Sequence, residues 1–139
     1  MNRFRDEMGQ TTLLVLGLAV VAFAVVGLAV DGTRAFLMRR TLQNAADAAA
    51  LAGSGEIDEV TYYSSGGRRV EINPEAAQRR ATEWLRVRGV HGRAAIEATR
   101  EGVRVVLRDA TPTSFLRLVG IGQIPVAAEA DAAPVAGSP

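Results

Sequence analysis

The chain contains no cysteine and no lysine, has a single histidine, and draws only 5% of its 139 residues from the aromatics. The missing thiols exclude disulfides, zinc-thiolate sites, haem attachment and cysteine nucleophiles, while leaving the redox compartment undetermined. Acid-base or nucleophilic catalysis needs a positioned base, usually His, or two carboxylates in different environments. His91 stands alone in a Gly-Val-His-Gly-Arg connection, which reads as an exposed, idle imidazole. No G-x-S-x-G, H-E-x-x-H or G-x-x-x-x-G-K pattern occurs, and Gly120-Ile121-Gly122 is an isolated G-x-G that reads as a turn. The acidic cluster Glu56, Asp58 and Glu59 lacks the D-x-D-x-D-G calcium loop pattern and reads as solvated. The expectation is therefore a protein that is not an enzyme and holds neither cofactor nor metal. Sixteen Arg against fifteen acidic residues leave a net charge of +1, without the electrostatic footprint of a nucleic-acid binder. The Arg-only basic set, beside 24 Ala, is the signature of a GC-rich genome and carries no chemistry.

Charge is also missing along one continuous stretch. Met8 to Val30 is uncharged, and Leu13 to Val30 is eighteen residues without a polar side chain. As a helix at ~1.5 Å per residue, these spans measure about 34 and 27 Å, bracketing a ~30 Å hydrocarbon core. The competing reading is a cleaved signal peptide, with Gly27 and Ala29 small before Val30. The apolar region is longer than the roughly 7–15 residues of a secretory h-region, and helical periodicity continues beyond it. The anchor is therefore preferred, from Leu13 to Val30, with the lipid bilayer as first partner. Orientation does not follow from charge: Arg3 and Arg5 on one side face Arg34, Arg39 and Arg40 on the other.

After Asp31 and Gly32, the residues Ala35, Met38, Leu42, Ala45, Ala49 and Ala52 recur at spacings of three and four, a narrow stripe of mostly small side chains. Arg39, Arg40, Gln43, Asn44 and Asp47 fall off it. The stripe predicts close packing against another element, and pairing with a second copy through this helix is one way to cover it. Gly53, Ser54 and Gly55 should end the helix. If Asp31 and Gly32 do not break the chain, Thr11 to Ala52 is one helix of about 63 Å. Residues 56–72 read as an irregular loop or a weak hairpin around Ser64-Ser65-Gly66-Gly67.

Asn73-Pro74-Glu75 opens a second helix, Asn capping and Pro at the first helical position, with Ala77, Ala81, Trp84 and Leu85 as its buried face and Gly89 at its close. Glu75, Arg79 and Glu83 run along its solvent side. Period-2 runs follow at Ala94/Ile96/Ala98, Val103/Val105/Leu107 and Ile124/Val126/Ala128/Ala130, with a short helix expected from Pro112 to Val119. The fold class is α+β: a long amino-terminal transmembrane and amphipathic helix, a further helix, and a small three-stranded antiparallel sheet, with Trp84 and Phe115 as the largest plugs between layers. The organisation expected is a tail over 1–10, a transmembrane helix over 11–30, its amphipathic continuation over 31–53, a small α+β domain over 54–131 and a tail over 132–139.

The stretch RDEMGQTTLLVLGLAVVAFAVVGLAVDGTRAFLMRRTLQNAADAAALAG resembles the amino-terminal segment of TadG-like (TadE/TadG-like) proteins of Flp (tight-adherence) pilus assembly. The likeness rests on a charged start ending in Gly9, the apolar helix, Asp31 near its exit, Arg34 soon after, and the run Leu42 to Ala52 with Gln43, Asn44 and Asp47. Residues 111–130 resemble the carboxy-terminal half of short members. The resemblance implies a non-catalytic, single-pass, pilin-like protein of the bacterial cell envelope. It would have its carboxy-terminal domain outside the cytoplasm, and pilus-assembly or pilin-like proteins as partners. Longer TadG proteins carry a von Willebrand factor-like domain with a metal site, for which there is no room here, so no metal is carried over. Related minor pilins are cut after a Gly standing five residues before a Glu, and Gly9 has Leu14 at that position, a departure from the processing pattern. The alternative from another class is a tethered or secreted binding module for a small ligand or cell-wall component, using the sheet surface or the loop around Tyr62 and Tyr63.

Overall fold

A computed structural model describes residues 3–134 of the chain, with side chains from Gln10 onward. A single helix, α1 (Arg3–Ser54), carries both the apolar run and the amphipathic stretch after it. Its 52 residues correspond to about 78 Å at ~1.5 Å per residue. Neither Asp31 nor Gly32 breaks it. Among the described residues α1 is the one helix long and apolar enough to cross a membrane.

Two compact units can be distinguished. One comprises the residues up to Phe36 together with Pro112–Ile124; the other comprises Leu37–Thr111 together with the described residues from Pro125 on.

The second unit holds the core. Here α1 contributes Leu42, Ala45, Ala46, Ala49 and Ala50, all buried, with Met38 packed against them. The buried face is wider than a single seam, since Ala46 and Ala50 form a second row beside Ala45 and Ala49. Small side chains permit a close approach. At Gly53 an added Cβ would lie 3.0 Å from the carbonyl oxygen of Ala77 and 3.3 Å from the Val103 methyls, so backbone and side chain fill the space a larger residue would need.

Residues 56–72 are neither a plain loop nor a hairpin. They form a short helix, α2 (Glu59–Ser64), whose first amides at Val60 and Thr61 donate to the Asp58 carboxylate at 3.1 and 3.3 Å. A single antiparallel bridge, Ile57 to Ile72, closes the segment, and the turn between is made by Gly66 and Gly67 at φ 65° and 77°. Helix α3 (Pro74–Val87) begins at Asn73, whose side chain accepts from the Ala76 amide at 3.1 Å, and buries Ala77, Ala81 and Leu85. Trp84 is half-buried at its edge with the Arg88 guanidinium 5.2 Å from the ring centre. On the solvent side Arg79 lies 3.9 Å from Glu75, whereas Glu83 accepts from Arg86 at 2.6 and 2.8 Å, which holds the Glu83 carboxyl below its ordinary range.

The antiparallel sheet has the order β1-β2-β3: β1 (Arg93–Ala98), β2 (Val103–Pro112) and β3 (Gln123–Ala132). Ile96 pairs with Val105 and Ala98 with Val103 in the β1–β2 ladder. Alternation sends Val103, Val105 and Leu107 from β2, and Val126, Ala128 and Ala130 from β3, into the core. The helix expected over 112–119 is replaced by the end of β2, a bend and a 3₁₀ helix confined to Leu116–Val119. The Thr113 amide donates to the Gly122 carbonyl at 3.1 Å, closing a neck around the short 3₁₀ helix.

Candidate functional site

The most organised polar arrangement among the described residues is in the first unit, where the apolar run of α1 ends. Asp31 is only 1% exposed, and a buried carboxylate must have donors on its oxygens. Three consecutive backbone amides supply them. Ser114 N–H donates to Oδ1, and the N–H groups of Phe115 and Leu116 donate to Oδ2, each at 2.8 Å. These include the opening amides of the 3₁₀ helix, which has no cap of its own from Phe115. Asp31 thus caps, from 83–85 residues away in sequence, a helix that its own neighbours leave uncapped. Burial alone pushes the Asp31 carboxyl up. The amides of Leu116, Ser114 and Phe115, with Arg34 nearby, more than reverse this and hold it below its ordinary 3.8.

Two flanking residues on the same face of α1 complete the seat, at the spacings four and three that align side chains on one side of a helix. One turn before Asp31, Gly27 is buried, and a Cβ built there would come within 2.6 Å of Phe115 Cβ and 2.8 Å of its Cγ. Any side chain at position 27 would therefore displace the Phe115 ring. After Asp31, the Arg34 guanidinium donates to the Ser114 hydroxyl. The loop is closed within itself: the Thr113 hydroxyl donates to the Ile121 carbonyl and the Ile121 amide to the Leu116 carbonyl at 3.0 Å. Gly120 ends the 3₁₀ helix at φ 89°, a conformation that favours glycine. Phe115 accordingly packs on α1 at Gly27 and is not among the buried residues of the core, contrary to its expected place between layers.

The structure brings Asp31 and Arg34 together on one loop. Sequence reasoning singled out both, and singled out Gly27 for a different reason, but missed Ser114, Phe115 and Leu116 as their partners. A lone acid at the end of an uncharged run was the available signal. The remaining named residues are placed as follows. Leu13 is exposed on the run and Val30 half-buried at its end; Gly9 lies in the first turns of α1. Of the stripe, Leu42, Ala45 and Ala49 are buried, and Ala35, Met38 and Ala52 are half-buried. Gln43, expected off the stripe, is half-buried; its Nε2 donates to Asp47 Oδ1 at 3.0 Å and to the Glu129 carbonyl at 2.8 Å. Asn44 and Asp47 are exposed. His91 is exposed in its connection.

The arrangement builds a fixed loop on a helix. The Tad family, described as Flp pilus-assembly TadE/G-like, matches residues 9–78, half of the chain. The matched stretch runs from Gly9 through the apolar helix, Asp31, Arg34 and the buried face of α1, into α3. No curated protein and no solved structure matches the chain. With half of its length matched, and with the long apolar helix and the sheet in place, the chain belongs to the TadE/G-like family of Flp pilus-assembly proteins.

Proposed function

We propose that the protein is a non-catalytic, single-pass membrane component of Flp pilus assembly. In this reading Leu13–Val30 crosses the bacterial cell membrane, the residues after it lie outside the cytoplasm, and α1 tethers the small α+β domain there for contact with pilin-like partners. The observation that carries the proposal is the double character of α1. Eleven large apolar side chains, Leu13, Leu14, Val15, Leu16, Leu18, Val20, Val21, Phe23, Val25, Val26 and Leu28, are exposed along its first part, whereas Leu42, Ala45, Ala46, Ala49 and Ala50 lie in a packed core. At about 1.5–3 kcal/mol for each such side chain withdrawn from water, lipid burial is favoured by on the order of 20 kcal/mol. No charge on the chain offsets a term of that size. Met38, Leu42, Ala45 and Ala49 of the stripe pack in the protein's own core, so partner contacts fall to the exposed positions of α1, among them Phe36, Leu37 and Leu51.

Carbonate washing of membrane fractions tests the anchor: the full chain stays in the pellet, and recovery in the supernatant would overturn it. Mass spectrometry of the same fraction should find the start intact, whereas a new terminus at Val30 means a signal peptide and one at Gln10 means pilin-like processing. Protease added to spheroplasts should trim a tag placed after Pro139. Protection of that tag until lysis would put the domain on the cytoplasmic side.

A further inference from the structure

The loop seated on Asp31 exposes Leu118 at 83%, Val119 at 73% and Ile121 at 48%, a cluster of large apolar side chains that no packing within the first unit explains. We infer that the Leu116–Ile121 loop is a second lipid-contacting element, a wedge that enters the headgroup boundary of the bilayer beside the end of the transmembrane helix. The inference rests on the anchor reading above and adds an element to it.

Three observations carry it. The first is level. Gly27 lies inside the apolar run, about 6 Å along the helix axis before Asp31, and Phe115 is packed directly on it. The Asp31 carboxylate fixes the amides of Ser114, Phe115 and Leu116 at the end of that run. The headgroup zone on each side of the hydrocarbon core is about 5–8 Å deep, and a four-residue 3₁₀ helix is about 8 Å long. The exposed loop side chains therefore start at the level of that zone and have the reach to remain in it. The second is continuity. The apolar surface of the run and that of the loop meet through Phe115 at Gly27, so a bilayer that covers Phe23 and Val26 presents its boundary to the loop. The third is charge. From Pro112 to Ile124 the only ionisable side chain is Arg117, an exposed cation between Leu116 and Leu118, with an alkyl stem that can lie along lipid while its head reaches phosphate. Asp31, the acid nearby, is turned inward and enclosed by amides. The hydroxyl of Thr113 and the amides of the neck are likewise internally bonded, so immersing the tip leaves few polar groups without partners.

The absence of cysteine allows a direct test with the full chain in nanodiscs of phosphatidylcholine and phosphatidylglycerol. Single Leu118→Cys, Val21→Cys and Thr82→Cys variants carry an environment-sensitive fluorophore, and quenching by lipid-borne nitroxides is compared with quenching by iodide. Circular dichroism confirms that each labelled variant keeps its fold. The wedge predicts that the labels at 118 and 21 are quenched by lipid nitroxides, 118 more by headgroup-proximal than by chain-end nitroxides. The label at 82 should be quenched by iodide alone. If 21 is quenched by lipid while 118 behaves like 82, the loop faces water and the wedge is wrong while the anchor stands. Protection of 118 from both quenchers means that protein, such as a second copy, covers the loop, and again overturns it. If 21 itself is open to iodide, the anchor reading fails first.

Discussion

At Asp31 one carboxylate organises a loop more than eighty residues away, and the consequence can be stated atom by atom. Asp31→Asn keeps the size of the side chain but substitutes an NH₂ for one of the two accepting oxygens, so the amide of Ser114 or those of Phe115 and Leu116 must face another donor. The expected outcome is loss of amide-exchange protection at residues 114–116, with the core amides of β2 unchanged; protection equal to that of the parent chain would show that Asp31 does not hold the loop. Acid should do the same reversibly. Because the folded carboxyl is held below its ordinary 3.8, the cap is fully present above that pH and is lost as pH falls through the lower folded value. Amide chemical shifts of Phe115 and Leu116 followed from pH 7 downward should stay constant to about pH 4 and move only below it. A transition near neutrality would contradict this assignment.

Among the elements, α1 between Leu42 and Ser54 is the most demanding, because its neighbours meet it at Ala and Gly. Ala49 is fully buried, and Ala49→Glu introduces a carboxylate with neither space nor a donor. A loss of roughly 3 kcal/mol or more is expected, enough to unfold a marginally stable domain. Asp47→Ala removes an exposed acceptor from Gln43, which keeps its bond to the Glu129 carbonyl, and should change stability by less than about 0.5 kcal/mol. Urea unfolding of the two full-length variants in nanodiscs, followed by Trp84 fluorescence, measures both, and equal stability would mean that this face of α1 is not packed. Elements whose signal is local were legible in the sequence. The Asn73-Pro74 start of α3, the alternation of Val103, Val105 and Leu107, and the continuous apolar helix each follow from residues within a few positions of one another. What could not be read depended on distant partners. The 3₁₀ helix has its neck closed by Thr113 and Gly122 and its cap supplied by Asp31, and α2, although its Asp58 cap is local, has its flanks brought together by the Ile57–Ile72 bridge. The same limit applies to the loop seat: Gly27 has no local pattern that announces Phe115.

For the whole molecule, the division into two units separates what the apolar helix does for the fold from what it does for the loop. Every residue of the buried core, from Leu42 to Ala130, lies outside the first thirty-six positions. The seat of the loop needs Gly27 as well as Asp31. A chain beginning at Asp31 should therefore keep its α+β core, since Leu42–Ser54 remains helical against α3 and the sheet, but it should lose the order of residues 113–122. Phe115 would have no helix beneath it, and Asp31, now the first residue, would sit in a fraying end that fixes no side chain. The first unit would then lie at the low-stability end of the molecule, opening without the core. Backbone NMR of this truncated chain distinguishes the cases. Dispersed amides in β1, β2 and β3 together with averaged, rapidly exchanging signals for Ser114–Leu118 are expected. A truncated chain that is unfolded throughout would show that the apolar helix is needed by the core itself, and one with the loop still protected would show that Gly27 and the preceding turn contribute nothing to its seat.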